Sequence, residues 1–222
     1  RRSGYKRRRT PRRRMSGRLQ KSCFKQKGGA DISFKWQEKD SEEKKTCIME
    51  TSDLLGAGSF AYVYKVEIKS GSACPSSLSK MVAVKKIKFD AMKRRYPGNT
   101  EARAKADFDR EVKMLKAIGD CGDHVIKYID SVEPYIFTEL IEGKELNEIL
   151  AGVEKKKLRG ANGNFPTRKY FIQLLSAVDA IHKIGIVHCD LNDSNVMIER
   201  VMLERVDEDG GQRYVVEDGN VK

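Results

Sequence analysis

Two side chains five positions apart hold the densest chemistry in this sequence. Within Gly185 to Ile198, GIVHCDLNDSNVMI, Asp190 can orient an attacking hydroxyl and accept its proton. Asn195 offers a neutral carbonyl oxygen to a hard cation such as Mg²⁺. A carboxylate base and an amide ligand on one short loop suit phosphoryl transfer, where positioning and charge neutralisation supply most of the catalysis. His188 and Leu191 fall where apolar backing would hold the loop in shape, and Val196, Met197 and Ile198 read as the buried strand leaving it.

Three further groups stand upstream. Leu55 to Lys65, LGAGSFAYVYK, places Gly56 and Gly58 where backbone N–H groups can close over phosphates with no Cβ in the way. The glycines lead into Tyr62 to Ile68, which alternates as a strand. That excludes a dinucleotide-binding fingerprint, which needs a helix at this point. Met81 to Ile87 is a β-branched strand carrying Lys85 after Val82, Ala83 and Val84, a run suited to two buried faces, so this lysine needs an anionic partner; Lys86 reads as its solvated neighbour. Ala102 to Ile118 is helical, with Phe108, Val112, Leu115 and Ile118 on one stripe and Glu111 beside it; Glu101 is the alternative carboxylate.

Taken in order, these motifs resemble a eukaryotic-type protein kinase catalytic domain. Gly56-x-Gly58-x-x-Ala61-x-Val63 is similar to its glycine-rich loop, with Ala61 where a third glycine is usual. Val82-Ala83-Val84-Lys85 is similar to its lysine strand, and His188-Cys189-Asp190-Leu191 through Asn195 to its catalytic loop. The resemblance implies ATP and Mg²⁺ as cofactors and Lys85, paired with Glu111, at the α- and β-phosphates; it implies Asp190 at the substrate hydroxyl and Asn195 on the metal. It further implies a nucleotide pocket formed by Leu55, Gly56, Ala57, Gly58, Ser59, Val63 and Ala83. Thr138 would be the gatekeeper, Glu139 to Ile141 the adenine hinge, and Glu145 would stand near the ribose or substrate. The fold implied is α+β with two lobes: a five-stranded antiparallel sheet with one helix over residues 49–140, then an incomplete, mainly helical lobe over 141–222 that ends before an Asp-Phe-Gly motif. Residues 1–222 alone are accordingly expected to turn over little, and the apolar face of the helix Tyr170 to His182 is expected to stand open.

Two departures bear on mechanism. Cys189 replaces the arginine that reads an activation-loop phosphate in most of the family, which implies that such switching is absent or uses another cation. Asn192 replaces a lysine at the γ-phosphate, which implies slower transfer and removes one sign that separates serine/threonine from tyrosine kinases; serine/threonine or dual specificity is expected because the tyrosine-kinase loop pattern is not matched either. A pseudokinase and a small-molecule phosphotransferase of the aminoglycoside or choline kinase type remain as alternatives. The Asp190 and Asn195 pair speaks against the first, the glycine loop with its lysine strand against the second.

The net charge of +12 is concentrated at one end. Residues 1–27 hold thirteen Lys and Arg and no acid, leaving 31 basic and 32 acidic residues in the rest. Residues 1–48 are therefore expected to form a basic, largely disordered tail suited to a nuclear-import receptor or a weak nucleic-acid contact. No stretch has the apolar length of a membrane span. Five scattered cysteines without C-x-x-C spacing (Cys23, Cys47, Cys74, Cys121, Cys189) fit reduced thiols and a nuclear or cytoplasmic setting. Ser70–Lys80, Arg94–Thr100 and Glu199–Arg213 read as insertions, and His124 and His182 as ordinary packing or surface residues.

Overall fold

The structure is a computed structural model that describes residues 31–37, 43–95, 98, 101–119, 121–154, 158–160, 166–205, 212–216 and 219–222. Its first part is a sheet of six antiparallel strands: β1 (Ile32–Gln37), β2 (Lys44–Ala57), β3 (Ala61–Ile68), β4 (Met81–Ile87), β5 (Tyr128–Val132) and β6 (Tyr135–Thr138), in the order β1-β2-β3-β4-β6-β5. Helices α1 (Phe89–Arg95) and α2 (Glu101–Ile118) follow β4.

Five of these strands were expected; β1 was not. Ile32, Phe34 and Trp36 alternate along it, and the register Ile32↔Met49 and Phe34↔Cys47 turns them to one face of the sheet. There they join Cys47, Met49, Val66, Val82, Val84 and Phe137 in a buried cluster. The expected tail over residues 1–48 is thus corrected at Ile32–Gln37 and from Lys44 on, because an apolar face on β2 to β4 needs β1 to complete it. The thirteen basic residues of 1–27 lie outside the described residues.

The 69–80 connection, expected as an insertion, folds over the same face. Leu78 is buried in the cluster, Trp36 Nε1 donates to Ala73 O at 2.7 Å, and Ile48 N–H donates to Ser72 Oγ at 2.7 Å. Lys69 pairs with Asp31 at 2.7 Å, and that carboxylate hydrogen bond raises the lysine above its ordinary pKa. A disulfide, Cys47–Cys74, closes the arrangement, which corrects the expectation that all the thiols are reduced. Burial drew the two sulfurs together: Cys47 is fully buried and Cys74 packs against the same cluster. Cys121 and Cys189 are free, and Cys23 lies outside the described residues.

The opposite face of the sheet receives α2. Ala61, Ile87 and Ile136 meet Phe108 and Val112 there, the latter two from the predicted stripe. This underside therefore has to carry any group that α2 presents to β4.

Residues 139–142 lead into β7 (Gly143–Glu145), α3 (Leu146–Glu154), β8 (Leu158–Gly160), α4 (Thr167–Lys183), β9 (Met197–Glu199), β10 (Val201–Arg205) and β11 (Gln212–Val216). The two helices thus come with five short strands. β7 pairs antiparallel with β9, and β10-β11-β8 make a small separate sheet. Ile149, Tyr170, Val196, Ile198 and Val221 form the core of this part. Gly143 and Gly219 both approach β9 so closely that a Cβ at either position would strike the carbonyl of Ile198 or Glu199. On α4, Tyr170 and Ile181 are buried while Phe171, Ile172 and Leu175 stand more than half exposed; the apolar face expected to stand open is thus open at Phe171 and Leu175 and closed at Ile181, with Leu174 packed on the core. Among the described residues no helix is long and apolar enough to cross a membrane.

Candidate active site

The glycine-rich segment is the turn between β2 and β3. Gly58 N–H donates to Ala61 O at 2.9 Å and closes its tip. The sheet register then aligns the expected nucleotide residues in rows. Gly56 pairs with Val63, Val63 with Lys85 and Lys85 with Ile136, and one step along Ala83 pairs with Thr138. Cross-strand partners share a face. Val63, Ala83, Lys85 and Thr138 are therefore presented together on the underside, next to α2. Leu55, Ala57 and Ser59 are exposed along the approach to the turn.

Lys85 Nζ donates to Glu111 Oε1, an ion pair formed between β4 and α2 across 26 positions of sequence. Beside it lies a cavity of about 190 Å³ lined by Phe60, Lys85, Ile87, Met92, Phe108 and Glu111. Lys86, on the other face, is exposed with its ammonium 5.8 Å from the Tyr135 ring centroid, as expected for a solvated neighbour.

The second half of the site is the loop between α4 and β9. Asn195 Nδ2 donates to Asp190 O at 2.8 Å and to Asp190 Oδ2 at 3.0 Å. Asn192 Nδ2 donates to Asp190 O at 3.1 Å and Oδ1 at 3.3 Å, while its own Oδ1 accepts Ser194 N–H at 2.9 Å. Both carboxylate oxygens of Asp190 are thus oriented from within the loop. Asn147, at the start of α3, holds the loop from outside: its N–H donates to Asp193 O at 3.1 Å and its Nδ2 to Ser194 Oγ at 2.9 Å.

His188 and Leu191 depart from expectation, since both are exposed. His188 supports the loop through its ring, whose Nδ1 accepts Asp190 N–H at 3.3 Å. Cys189 has φ 62°, a left-handed conformation that costs a non-glycine residue about 1–2 kcal/mol. Its exposed thiol donates to Val187 O at 3.4 Å.

The hinge joins the halves in very few residues. Glu139 N–H donates to Lys127 O at 3.0 Å, and Glu145 pairs with Met197, two positions beyond Asn195. Glu145 therefore stands beside the strand that leaves the catalytic loop. The Glu139 carboxylate turns to the rear of the hinge and accepts from Lys127 N–H and Lys222 Nζ, so both the N–H and the carboxylate of Glu139 are committed within the hinge. Ile141 is half-buried in the same segment. A larger cavity of about 500 Å³ also lies at the rear, lined by Met81, Ile129, Glu139, Glu142, Glu199 and Arg200.

Sequence reasoning missed three contributors: Lys222 at Glu139, His124, whose Nδ1 stands 3.1 Å from Val221 O, and Lys88, whose Nζ donates to Gly58 O at 2.8 Å. None of the three belongs to a motif; for Lys88 the only signal was its place three residues after Lys85.

The residues present fit ATP and Mg²⁺. Asn195 commits its amide hydrogens to Asp190, which leaves its Oδ1 as a neutral oxygen donor at the loop surface. Among the described residues no cluster of three or more His, Cys, Asp or Glu could hold a metal unaided, as suits an ion that takes much of its coordination from phosphates and water.

With two directly bonded pairs, Lys85–Glu111 and Asp190–Asn195, on either side of a hinge, the chain belongs to the protein kinase family; the protein kinase domain matches residues 49–207. CBL-interacting serine/threonine-protein kinase 5 of Arabidopsis thaliana is 32% identical over 152 residues, 68% of this chain and 30% of that protein. A calcium/calmodulin-dependent protein kinase type 1 of Macrobrachium nipponense is 27% identical over 175 residues, 75% of this chain and 44% of that protein. A solved kinase domain shares the fold with a TM-score of 0.53 at 18% identity, over 78% of this chain and 49% of that one. The chain thus spans less than half the length of these relatives.

Proposed function

We propose that the protein transfers the γ-phosphoryl group of ATP to a serine or threonine hydroxyl of a protein substrate. The observation that carries this reading is the orientation of Asp190 and Asn195: a carboxylate fixed through both oxygens, beside an amide whose carbonyl is left for a cation. Lys85, held by Glu111, fixes the α- and β-phosphates, and the glycine-rich turn covers them. Asp190 aligns the substrate hydroxyl and takes its proton as the new O–P bond forms and the bond from the γ-phosphorus to the β–γ bridging oxygen breaks, with ADP as the leaving group. Asn195 Oδ1 would hold Mg²⁺, which when bound would supply charge neutralisation for the transferring phosphates. Asn192 supplies no cation at the γ-phosphate; it serves instead to fix Asp190.

The serine/threonine assignment draws support from the names of relatives such as the Arabidopsis kinase. Transfer of label from γ-labelled ATP to protein substrates by the full-length protein tests the proposal, with Asp190→Asn as control. Loss of about 10²–10⁴-fold in rate is expected for the variant. Equal transfer by the variant, or label passing to metabolites and not to protein, contradicts it.

We also propose that the basic segment 1–27 meets an import receptor, or more weakly nucleic acid, and that the protein works in the nucleus or cytoplasm; this rests on the basic segment alone, since the Cys47–Cys74 bridge removes the support of reduced thiols. Unchanged cellular distribution on deleting residues 1–27 would refute the import role.

A further inference from the structure

We propose that Lys88 is a positioning residue of the nucleotide site, a latch that fastens the tip of the glycine-rich turn to the end of β4. Lys88 directly follows β4, three residues after Lys85, yet its side chain and its backbone both engage the β2–β3 turn. Its ammonium donates to Gly58 O at 2.8 Å and sits 3.3 Å from the centroid of the Tyr62 ring. Its N–H donates to Phe60 O at 2.7 Å. One residue thus holds two carbonyls of the tip and lies over the aromatic face at its base.

The geometry explains why a lysine serves. A charged donor to a carbonyl is stronger than a neutral one, and a ring face within 6 Å attracts the same charge without competing for its hydrogens. The four-carbon stem lets the head reach back over the sheet, since Tyr62 pairs with Lys86 and Lys88 lies two positions further along the same face.

The hold has a consequence for phosphate binding. Gly58 N–H is already committed to Ala61 O at 2.9 Å, so this donor cannot meet a phosphate until the tip opens. Opening also has to release Gly58 O from Lys88. The latch therefore sets how often the turn opens, and with it how fast nucleotide enters and leaves. This consequence rests on the nucleotide-site reading proposed above, whereas the hold on the turn does not.

Two measurements separate the two. Amide hydrogen exchange across residues 58–61 of the nucleotide-free protein reports the hold alone: Lys88→Met is expected to speed it at least fivefold, Tyr62→Leu by less, and Lys88→Arg to leave it slow. Lys86→Met, which removes the same charge two residues earlier, where the ammonium lies 5.8 Å from the Tyr135 ring centroid, is the control and is expected to change nothing. Stopped-flow release of a fluorescent ADP analogue then reports the consequence, with faster entry and release expected in Lys88→Met. Exchange that is unchanged in Lys88→Met, or equally fast in Lys86→Met, overturns the latch. Faster exchange in a protein that binds no nucleotide supports the latch and counts against the nucleotide reading alone.

Discussion

Lys222 reaches the carboxylate of Glu139 from behind the hinge, its Nζ 3.2 Å from Oε1, with only 10% of the lysine side chain exposed. The same carboxylate accepts Lys127 N–H at 2.9 Å. One hinge glutamate thus ties the approach to β5 to the segment that bridges β9 through Val221 and Ile198, and these contacts restrain how the two parts of the chain lie to each other.

Removing either partner leaves the other poorly solvated. Lys222→Met or Glu139→Gln should each lower stability by about 1–3 kcal/mol, and the double variant should lose less than the sum. Urea unfolding of the four proteins checks this. Additive losses would show that the two residues do not act together.

The disulfide should matter for stability and not for chemistry, because it sits on the sheet face opposite Lys85. It closes a separation of 27 residues, a loop for which chain entropy gives about 3.5 kcal/mol. Reduction, or Cys74→Ser, should lower the unfolding midpoint by about that free energy while leaving nucleotide affinity within twofold. A midpoint unchanged by reductant would contradict the bridge.

Lys85 and Glu111 predict the reverse pattern. Their side chains are 38% and 35% exposed, so the pair contributes only about 0–1 kcal/mol to folding. Lys85→Met should barely move the unfolding midpoint yet weaken ATP·Mg²⁺ binding at least about tenfold, given a charged contact to phosphate. Isothermal titration alongside thermal unfolding measures both. A large stability loss with unchanged affinity would assign the pair a structural role.

Asn192 offers a test of the catalytic loop. Its bonds to Asp190 and Ser194 fix the direction of the base, so Asn192→Ala should lower kcat about tenfold with little change in the KM for ATP. Steady-state kinetics of the full-length protein would show it. A change confined to KM would place Asn192 in substrate binding instead.

Much of the site was legible because its chemistry restricts residue type. Only a carboxylate does what Asp190 does, so motif and spacing located it. Met81 to Ile87 was bounded correctly because its apolar run is buried on both faces. Glu111 could be preferred over Glu101 because its place beside the apolar stripe is similar to that of the family's pairing glutamate. β1 was hidden for the opposite reason: its six residues belong to no motif, follow a long basic run, and its apolar side is covered by residues distant in sequence, among them Val66, Leu78 and Phe137. The disulfide was masked by an odd count of cysteines. His188 and Leu191 were read as backing from the motif alone, and local sequence did not reveal that the ring would work through its nitrogen.

The central claim is that Lys85, Glu111, Asp190 and Asn195 serve one nucleotide. A structure of the protein with a non-hydrolysable ATP analogue and Mg²⁺ tests it most directly. The account predicts Lys85 Nζ on the α- and β-phosphates and Asn195 Oδ1 on a metal bound to the same molecule, with Asp190 facing its γ-phosphate. Nucleotide bound elsewhere, such as in the cavity behind the hinge, or touching only one of the two pairs, would contradict it.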